Sequence, residues 1–260
     1  MVVTGGSSGI GRCAAAALLE QGARVTVLAR ESPAMDELRA LPPRPGGRRP
    51  AVVTADVSDK QQVVAALREA REQHGPVGAL ITCAGRGGAG YFTAHDDDEF
   101  ARQMAVNYFG TLHPIRACLD DLRATRGSIT CVLSVVAFLG VFGYSAYAPS
   151  KYAVRGLTEV LRSELRPLGI TVTAVYPPDV DTPMLAAEQP QKPAELRALS
   201  SGERALSPEA VATALLKATA AGRSSVYPGA ATPALRWLSA TAPRLTAKLI
   251  DVITDRAAAS

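Results

Sequence analysis

The sequence predicts an α/β protein built on one doubly wound parallel sheet, with helices on both faces. Short apolar runs, typical of buried strands, alternate along the chain with stretches that have the apolar spacing of helices. The chain also opens on a strand, a glycine-rich loop and a helix, which is how nucleotide-binding sheets of this class begin. No internal repeat is visible, and residues 1–260 are predicted to form a single domain.

Composition restricts the classes of function. Hydrophobic residues make up 47% of the 260 residues and charged residues 20%, as in ordinary globular proteins. The net charge of +4 is small and the arginines are scattered, so no nucleic-acid partner is predicted. The four cysteines lack metal-ligand spacing, and we expect no metal. No signal peptide and no apolar run of about 18 residues is present, which favours a cytoplasmic protein.

The first glycine-rich loop follows a short strand predicted at Met1–Thr4. Its glycines have the spacing G-x-x-x-G-x-G and are followed by a helix. Backbone amides at a helix N-terminus bind phosphate, and glycine allows close approach of the ligand. The alternative is a glycine-rich turn that binds nothing. The predicted cofactor contacts in this loop are Gly5, Ser7, Ser8, Gly9, Ile10 and Gly11.

A basic residue ends the second predicted strand, Ala23–Ala29. Arg30 stands where an acidic residue would bind the ribose hydroxyl of NAD. A guanidinium there can instead bind a 2′-phosphate. This favours NADP(H), although Arg30 as a solvated residue at the strand end is the alternative.

The third predicted strand, Pro50–Ala55, follows a surface loop predicted at 42–50. Asp56 comes at its carboxyl end, where a carboxylate can bind an adenine amino group. The alternative role is to cap the next helix, predicted over 59–74, for which Ser58 and Asp59 are better placed.

The middle of the chain contains a further strand at Val77–Thr82 and a glycine-rich loop at 85–90 that is predicted to line the site. A long helix is predicted over 97–124. The acidic run 96–99 suits the start of that helix better than a metal site. Asn107 lies within the helix, where asparagine is unfavourable, so a role in the site is indicated.

Residues 134–151 contain the strongest signal for catalysis. Ser134 follows a predicted buried strand, Ile129–Leu133. Tyr147 and Lys151 begin a helix and share one face at i and i+4. The ammonium group is expected to lower the phenol pKa and make it a usable acid or base. A Tyr-x-x-x-Lys pair alone is usually just an exposed pair, but here it follows both a strand-end serine and a phosphate loop.

The C-terminal third is predicted to cover the site. A strand at Ile170–Tyr176 is followed by a polar segment, 184–206, that is suited to a lid over a substrate. A capped helix begins at Ser207 and a last strand lies at Ser224–Tyr227. The tail, 233–260, is expected to form a packed helix, with a pocket cover, a subunit contact or a membrane-surface contact as its possible roles.

Together these motifs resemble the classical short-chain dehydrogenase/reductase family over nearly the whole chain. The matching residues are Thr4-Gly5-x-x-x-Gly9-x-Gly11, Asp56-Val57, Asn107, Ser134 and Tyr147-x-x-x-Lys151. The resemblance implies a seven-stranded Rossmann sheet and hydride transfer with a nicotinamide. It also implies that Tyr147 is the general acid, that Ser134 positions the carbonyl oxygen and that Lys151 binds the ribose and lowers the Tyr147 pKa. Asn107 would support a water relay. The implied cofactor contacts also include Val57, Ala84, Gly85, Asn107, Tyr147, Lys151, Pro177, Val180 and Thr182.

A narrower similarity is to the 3-ketodihydrosphingosine reductases. It lies in the segment VTAVYPPDVDTPM, including Pro178, and in the later Lys192, Pro193 and Glu195. It implies an NADPH-dependent ketoreductase that acts on a hydrophobic ketone. An apolar approach to Tyr147 supports such a substrate, although several of its members would simply pack in the core: Val135, Val136, Phe138, Leu139, Val141, Phe142 and Tyr144.

Two other functions stay open from the sequence. The chain could act on another apolar ketone or alcohol, such as a steroid, a polyketide or a 3-ketoacyl compound. It could instead be an NADP(H)-binding regulator without turnover, although a regulator has no need of the acid. By the family resemblance we expect a homodimer or homotetramer that pairs through the helices around 97–124 and 147–166. Membrane contact is expected to be peripheral at most.

Overall fold

The computed structural model describes residues 1–42, 49–200 and 204–259. Its centre is a seven-stranded parallel sheet in the order β3-β2-β1-β4-β5-β6-β7, which confirms the predicted fold class. Most of the surface loop predicted at 42–50 lies outside the described residues. The strands are β1 (Val2–Thr4), β2 (Thr26–Ala29), β3 (Ala51–Thr54), β4 (Ala79–Thr82), β5 (Ser128–Val132), β6 (Thr171–Val175) and β7 (Ser225–Val226).

The strands are short, apolar and buried because helices cover both faces of the sheet. One face packs Leu67, Leu122 and Ile129 into a core. The other packs Val27 and Leu215 into a second core. Strand order reverses between β1 and β4, so that the loops after these two strands meet at the carboxyl edge of the sheet. Ligands of such sheets bind at this switch point.

Several helices lie close to their predicted positions, and polar side chains cap some of them. The helix at Pro33–Ala40 was not predicted, and the tail predicted as one helix forms two. Asp59 accepts hydrogen bonds from the backbone amides of Gln61 and Gln62, and Ser207 accepts one from Ala210. The helices are α1 (Gly9–Glu20), α2 (Pro33–Ala40), α3 (Lys60–His74), α4 (Asp97–Gln103), α5 (Gly110–Thr125), α6 (Tyr147–Leu165), α7 (Pro183–Glu188), α8 (Ala194–Ser200), α9 (Pro208–Ala220), α10 (Thr232–Thr241) and α11 (Pro243–Ala258).

The helix predicted over 97–124 is not one continuous α-helix. A π-helical turn, Met104–Phe109, separates α4 from α5. Asn107 lies in this turn and is 1% exposed. Its side chain bonds backbone and side-chain groups outside its own helix, which an i, i+4 apolar pattern cannot indicate. Single π turns are frequent at functional sites.

The predicted lid, 184–206, is more regular than its polar sequence suggested. It contains α7, a 3₁₀ turn at Gln189–Gln191 and α8. Leu206 then pairs with Val180 beyond the end of β6. The tail forms α10 and α11, and α11 packs against α8.

The outer side of the tail carries large exposed apolar side chains, namely Trp237, Leu245, Leu249, Val252 and Ile253. Across the described ranges, none of the helices combines the length and apolar character that crossing a bilayer requires. Peripheral membrane contact therefore stays a prediction.

Candidate active site

The first glycine-rich loop has the geometry of a phosphate cradle. Gly5 and Gly9 have φ of +65° and +51°, which other residues rarely adopt. A side chain at Gly11 would collide with the Gly5 carbonyl. Ser8 begins α1 without a side-chain capping bond, so its hydroxyl does not occupy the amides of the first turn. These features fit the phosphates of a dinucleotide at the N-terminus of α1.

Arg30 is exposed directly after β2, at the carboxyl edge of the sheet. The neighbouring carboxylate, Glu31, is bonded by Arg39, whose Nη1 lies 2.6 Å from Glu31 Oε1. Hydrogen bonds from Arg39 and then Thr54 hold the pKa of Glu31 at about 2. The negative charge beside Arg30 therefore already has a cationic partner.

Of the two roles that the sequence left open for Asp56, capping of the next helix, α3, is taken by Asp59. Asp56 Oδ1 accepts hydrogen bonds from the Ser58 backbone N–H at 2.9 Å and from the Ser58 hydroxyl at 2.6 Å, which fixes its carboxylate beyond β3. Val57 is a core residue, 5% exposed, and packs against Gly110 at the start of α5.

Ser134, Tyr147 and Lys151 converge as predicted. Ser134 lies just beyond β5 and its side chain is hydrogen-bonded to Tyr147. Tyr147 and Lys151 lie on the first two turns of α6. Lys151 is 5% exposed, its Nζ donates a hydrogen bond of 3.1 Å to the Val132 carbonyl, and it lies 5.8 Å from the centre of the Tyr147 ring. The structure therefore places a hydroxyl, a phenol and an ammonium side by side.

The expectation of a lowered pKa for Tyr147 is wrong for this structure. Burial raises the pKa of Tyr147, and the negative charge of Glu188 adds to the increase, while the Ser134 hydrogen bond opposes it. Burial also lowers the pKa of Lys151 to about 8. Desolvation disfavours the charged form of each group and is the largest cause of both shifts.

Asn107 is buried in a network of hydrogen bonds at the base of the site. Its Oδ1 accepts a bond of 2.8 Å from the Arg86 N–H, and its Nδ2 lies 2.8 Å from Ser150 Oγ. The same nitrogen lies 2.9 Å from Gln103 Oε1. Gln103 is fully buried and was not predicted from the sequence. Its position at i−4 from Asn107 was the available signal.

The loop after β4 joins the glycine loop to the catalytic residues. The Ala84 N–H donates to Thr4 Oγ1 at 3.3 Å, and a side chain at Gly5 would collide with the Ala84 backbone. A side chain at Gly85 would lie 3.3 Å from Asn107 Oδ1 and 3.5 Å from Lys151 Nζ. Only glycine leaves this space to a ligand.

The segment after β6 completes the edge of the site. Pro177 accepts a hydrogen bond from the Val135 N–H at 3.0 Å, which ties it to the segment after Ser134. Thr182 caps α7, and its methyl group lies 2.9 Å from the position of a side chain at Gly9. Val180 is buried in the core with only 8% exposure. Of these residues, Thr182 therefore lies directly against the phosphate loop.

An ion pair between a buried lysine and a half-exposed aspartate joins the predicted lid segment to this edge. Lys192 Nζ lies 3.0 Å from Asp179 Oδ2, and the Lys192 side chain is only 1% exposed. On the other side, the Tyr91 hydroxyl donates to Glu195 Oε2 at 3.1 Å. Lys192 and Glu195, which the sequence marks only by similarity, therefore tie α8 and the turn before it to Asp179 and Tyr91.

Several residues of the apolar approach predicted for the substrate pack in the core, which is the alternative that the sequence left open. Val136, Phe138 and Tyr144 are buried core residues with 2%, 6% and 6% exposure. Phe142 is exposed and contacts Tyr91 edge-on, with ring centres 5.9 Å apart. The exposed apolar rim consists of Tyr91, Phe92, Phe142 and Met184, of which only Phe142 was predicted.

Comparison with known proteins places this geometry in a family. Residues 1–193 match the family model for short chain dehydrogenase. The chain belongs to the short-chain dehydrogenase family. This confirms the prediction of a Rossmann-fold oxidoreductase with a nicotinamide dinucleotide cofactor.

Several relatives carry sphingolipid names. A 3-dehydrosphinganine reductase of Danio rerio is 39% identical, with 84% of this chain and 67% of the relative covered. A 3-ketodihydrosphingosine reductase of Dictyostelium discoideum is 36% identical, with 83% and 70% covered. These relatives confirm the narrower similarity seen in the sequence.

Solved structures of the family superpose over almost the whole chain. A short chain dehydrogenase from Burkholderia cenocepacia in complex with NADP is 29% identical, has a TM-score of 0.78 and covers 95% of each chain. An enzyme from Burkholderia phymatum in complex with NAD is 26% identical, has a TM-score of 0.81 and covers 94% of this chain and 93% of its own.

Proposed function

We propose that the protein is an NADPH-dependent reductase of a hydrophobic ketone, with 3-ketodihydrosphingosine as the first candidate substrate. The observation that carries this proposal is the convergence of Ser134, Tyr147 and Lys151 beneath a lid that is fastened by Asp179 and Lys192. Ser134, Tyr147 and Lys151 would supply the chemistry of carbonyl reduction. The pair of Asp179 and Lys192 belongs to the part of the sequence that resembles the sphingoid-ketone reductases.

The chain's own groups would manage the proton. The Ser134 hydroxyl orients the carbonyl oxygen next to Tyr147, and Tyr147 donates a proton to that oxygen. The raised pKa of Tyr147 keeps the phenol protonated at neutral pH, which suits reduction. Lys151, buried beside the ring, stabilises the negative charge left on the phenol oxygen. The bound nicotinamide supplies the hydride.

The choice of NADPH over NADH depends on Arg30. Its exposed guanidinium at the end of β2 is the group that would bind the 2′-phosphate, because Glu31 is already paired with Arg39. Asp56 would bind the adenine from the end of β3. Solved relatives are found with NADP and with NAD, so the choice rests on Arg30.

The nicotinamide end of the cofactor would lie among Gly85, Asn107 and Lys151, where the missing side chain of glycine leaves space. Pro177, Val180 and Thr182 would face it from the segment after β6. Thr182 is the best placed of these because it lies against Gly9.

The choice of a lipid-like ketone rests on the rim and on the relatives. Tyr91, Phe92, Phe142 and Met184 expose apolar surface at the edge of the lid, which suits an alkyl chain. A second candidate is a 3-ketoacyl substrate. It is favoured by 34% identity to a 3-hydroxyacyl-CoA dehydrogenase type-2 of Drosophila melanogaster over 72% of this chain.

We further propose a homodimer or homotetramer in the cytoplasm. Phe109, Tyr152 and Val160 are exposed around the π turn and on α6, where apolar side chains suit a subunit contact. Light scattering during size-exclusion chromatography measures the subunit number directly, and a monomer at micromolar concentration would contradict this part of the proposal.

The test of function is NADPH oxidation with a panel of ketones in detergent. The panel contains 3-ketodihydrosphingosine, a small steroid ketone and a 3-ketoacyl thioester, each measured with NADPH and with NADH. The proposal predicts the highest kcat/KM for NADPH with the sphingoid ketone. Turnover of only the other ketones would keep the mechanism and exclude the substrate. Absence of turnover, with NADPH bound, would favour a regulator.

A further inference from the structure

Glu188 is a half-buried carboxylate within the predicted lid segment, and the mechanism above does not use it. It is the last residue of α7, and its Oε1 would lie 3.5 Å from a side chain at Gly87. The carboxylate is hydrogen-bonded by Tyr144 and by the Gly88 backbone. Its Oε1 atom is shielded from solvent and has no hydrogen-bond partner among the described residues. Buried acceptors are normally satisfied, so this atom indicates a missing partner.

The charges around Glu188 do not balance. Two carboxylates, Asp179 and Glu188, lie close to one ammonium, that of Lys192. Lys192 Nζ is bonded to Asp179 at 3.0 Å. The cluster therefore carries a surplus negative charge on the Glu188 side, and a shielded surplus charge favours binding of a cation.

Glu188 also lies beside the reacting group. Tyr144, which bonds it, has its ring centre 5.4 Å from that of Tyr147. The charge of Glu188 is near enough to raise the pKa of Tyr147. A ketone held at the Tyr147 hydroxyl would therefore present the atoms next to its carbonyl toward this carboxylate.

We infer that Glu188 binds a protonated amine on the carbon next to the substrate's carbonyl, and so selects α-amino ketones over simple ketones. This inference rests on the proposed reductase function. A sphingoid ketone has such an amine, whereas a steroid or 3-ketoacyl compound does not. The ammonium group would donate to Oε1 and balance the charge that Lys192 leaves uncompensated.

The ionisation of Glu188 agrees with this role. Burial, above all, raises the pKa of its carboxyl, and the negative charge of Asp179 adds to the increase, while Lys192 opposes it. A bound ammonium would restore the charged carboxylate, because an opposite charge at short range offsets desolvation.

The experiment compares 3-ketodihydrosphingosine with the same hydroxyketone lacking the amino group, near neutral pH, using NADPH and matched detergent. Wild type is expected to prefer the amino ketone by about tenfold or more in kcat/KM, the size of one charge-assisted hydrogen bond. In Glu188→Gln, which keeps the shape of the side chain, that preference is expected to fall close to one. Glu72→Gln, an exposed change on α3, is the control and should keep the wild-type preference.

The outcomes separate the inference from the proposed function. Equal kcat/KM for both ketones in wild type, or a preference that survives in Glu188→Gln, would overturn the role of Glu188 and leave the reductase intact. Failure of wild type to reduce either ketone would overturn the proposed function itself. If Glu188→Gln does not fold, as judged by its melting temperature, the preference of wild type for the amino ketone alone tests the inference.

Discussion

The catalytic edge of the sheet and the lid above it are built in different ways. At the edge, Ser134 and Tyr147 are positioned by the end of β5 and the start of α6, and Lys151 is bonded to a backbone carbonyl of β5. The lid is held by contacts between side chains, chiefly Lys192 with Asp179 and Glu195 with Tyr91. In the proposed function, the edge would fix the reaction, whereas the lid would select the substrate without changing the chemistry.

The edge and the lid also differ in the cost of burying a charged lysine. Lys151 and Lys192 are both buried ammonium groups, with 5% and 2% residue exposure. Lys192 has a carboxylate partner, whereas Lys151 has a backbone carbonyl and the face of a tyrosine. The burial of Lys151 therefore costs stability, whereas Asp179 offsets part of this cost for Lys192.

The largest expected effect is at the catalytic edge. Tyr147→Phe removes the proton donor and should lower kcat by about 10³- to 10⁴-fold, the upper range for general acid catalysis. NADPH binding, measured by fluorescence titration, should change little. A variant that keeps more than a tenth of the wild-type kcat would show that the proton comes from another group.

The next effect is in the lid. Asp179→Asn leaves the Lys192 ammonium buried without its charged partner, which should cost about 3 kcal/mol. Hydrogen exchange should rise in α7 and α8 more than in the sheet, and KM should rise more than kcat falls. Adding Lys192→Met to this variant should recover most of the loss. Equal exchange throughout the molecule would contradict a separately held lid.

Removing the Lys151 charge should change the stability in the opposite direction to Asp179→Asn. Its folded pKa of about 8 lies below the ordinary value, so the unfolded state binds more protons between about pH 8 and pH 10.4. Wild-type stability from this group is therefore lowest below pH 8 and rises across that window by about 3 kcal/mol.

Lys151→Met should therefore lose activity and gain about 2 kcal/mol of stability near pH 7, after about 1 kcal/mol for the lost bond to Val132. The gain should disappear above about pH 10. Urea denaturation at several pH values measures it, and the exposed Lys217→Met on α9 is the control. A destabilised variant near pH 7 would show that the buried charge is compensated.

The smallest expected effect concerns the cofactor. Arg30→Ala should lower kcat/KM for NADPH about tenfold and leave NADH little changed, because one charge-assisted contact is lost. Arg68→Ala, exposed on α3, should alter neither cofactor. An equal loss for both cofactors would place Arg30 away from the 2′-phosphate.

The edge could be predicted from the sequence because its geometry is local. Strand periodicity and the i, i+4 spacing of Tyr147 and Lys151 are enough to bring these groups together. The π turn at Asn107 could not be predicted, because it depends on hydrogen bonds to Arg86 and Ser150 from other segments. The Tyr147 pKa was predicted with the wrong sign, since burial is not visible in a spacing.

The lid could be predicted only as a polar segment. The pairing of Lys192 with Asp179 joins residues 13 positions apart across a turn, and no local pattern indicates it. Glu188 was missed for the same reason. Its one sequence signal was its place four residues before Lys192, which also suits an ordinary helix-surface pair.

The most direct test of the central claim follows the hydrogen itself. NADPH carrying deuterium at the transferable position of its nicotinamide is incubated with the wild-type protein and 3-ketodihydrosphingosine, and the lipid product is analysed by mass spectrometry. The account predicts a dihydro product one mass unit heavier than that formed with ordinary NADPH, with the label on the former carbonyl carbon. A product without label, or no product while NADPH remains bound, would contradict it.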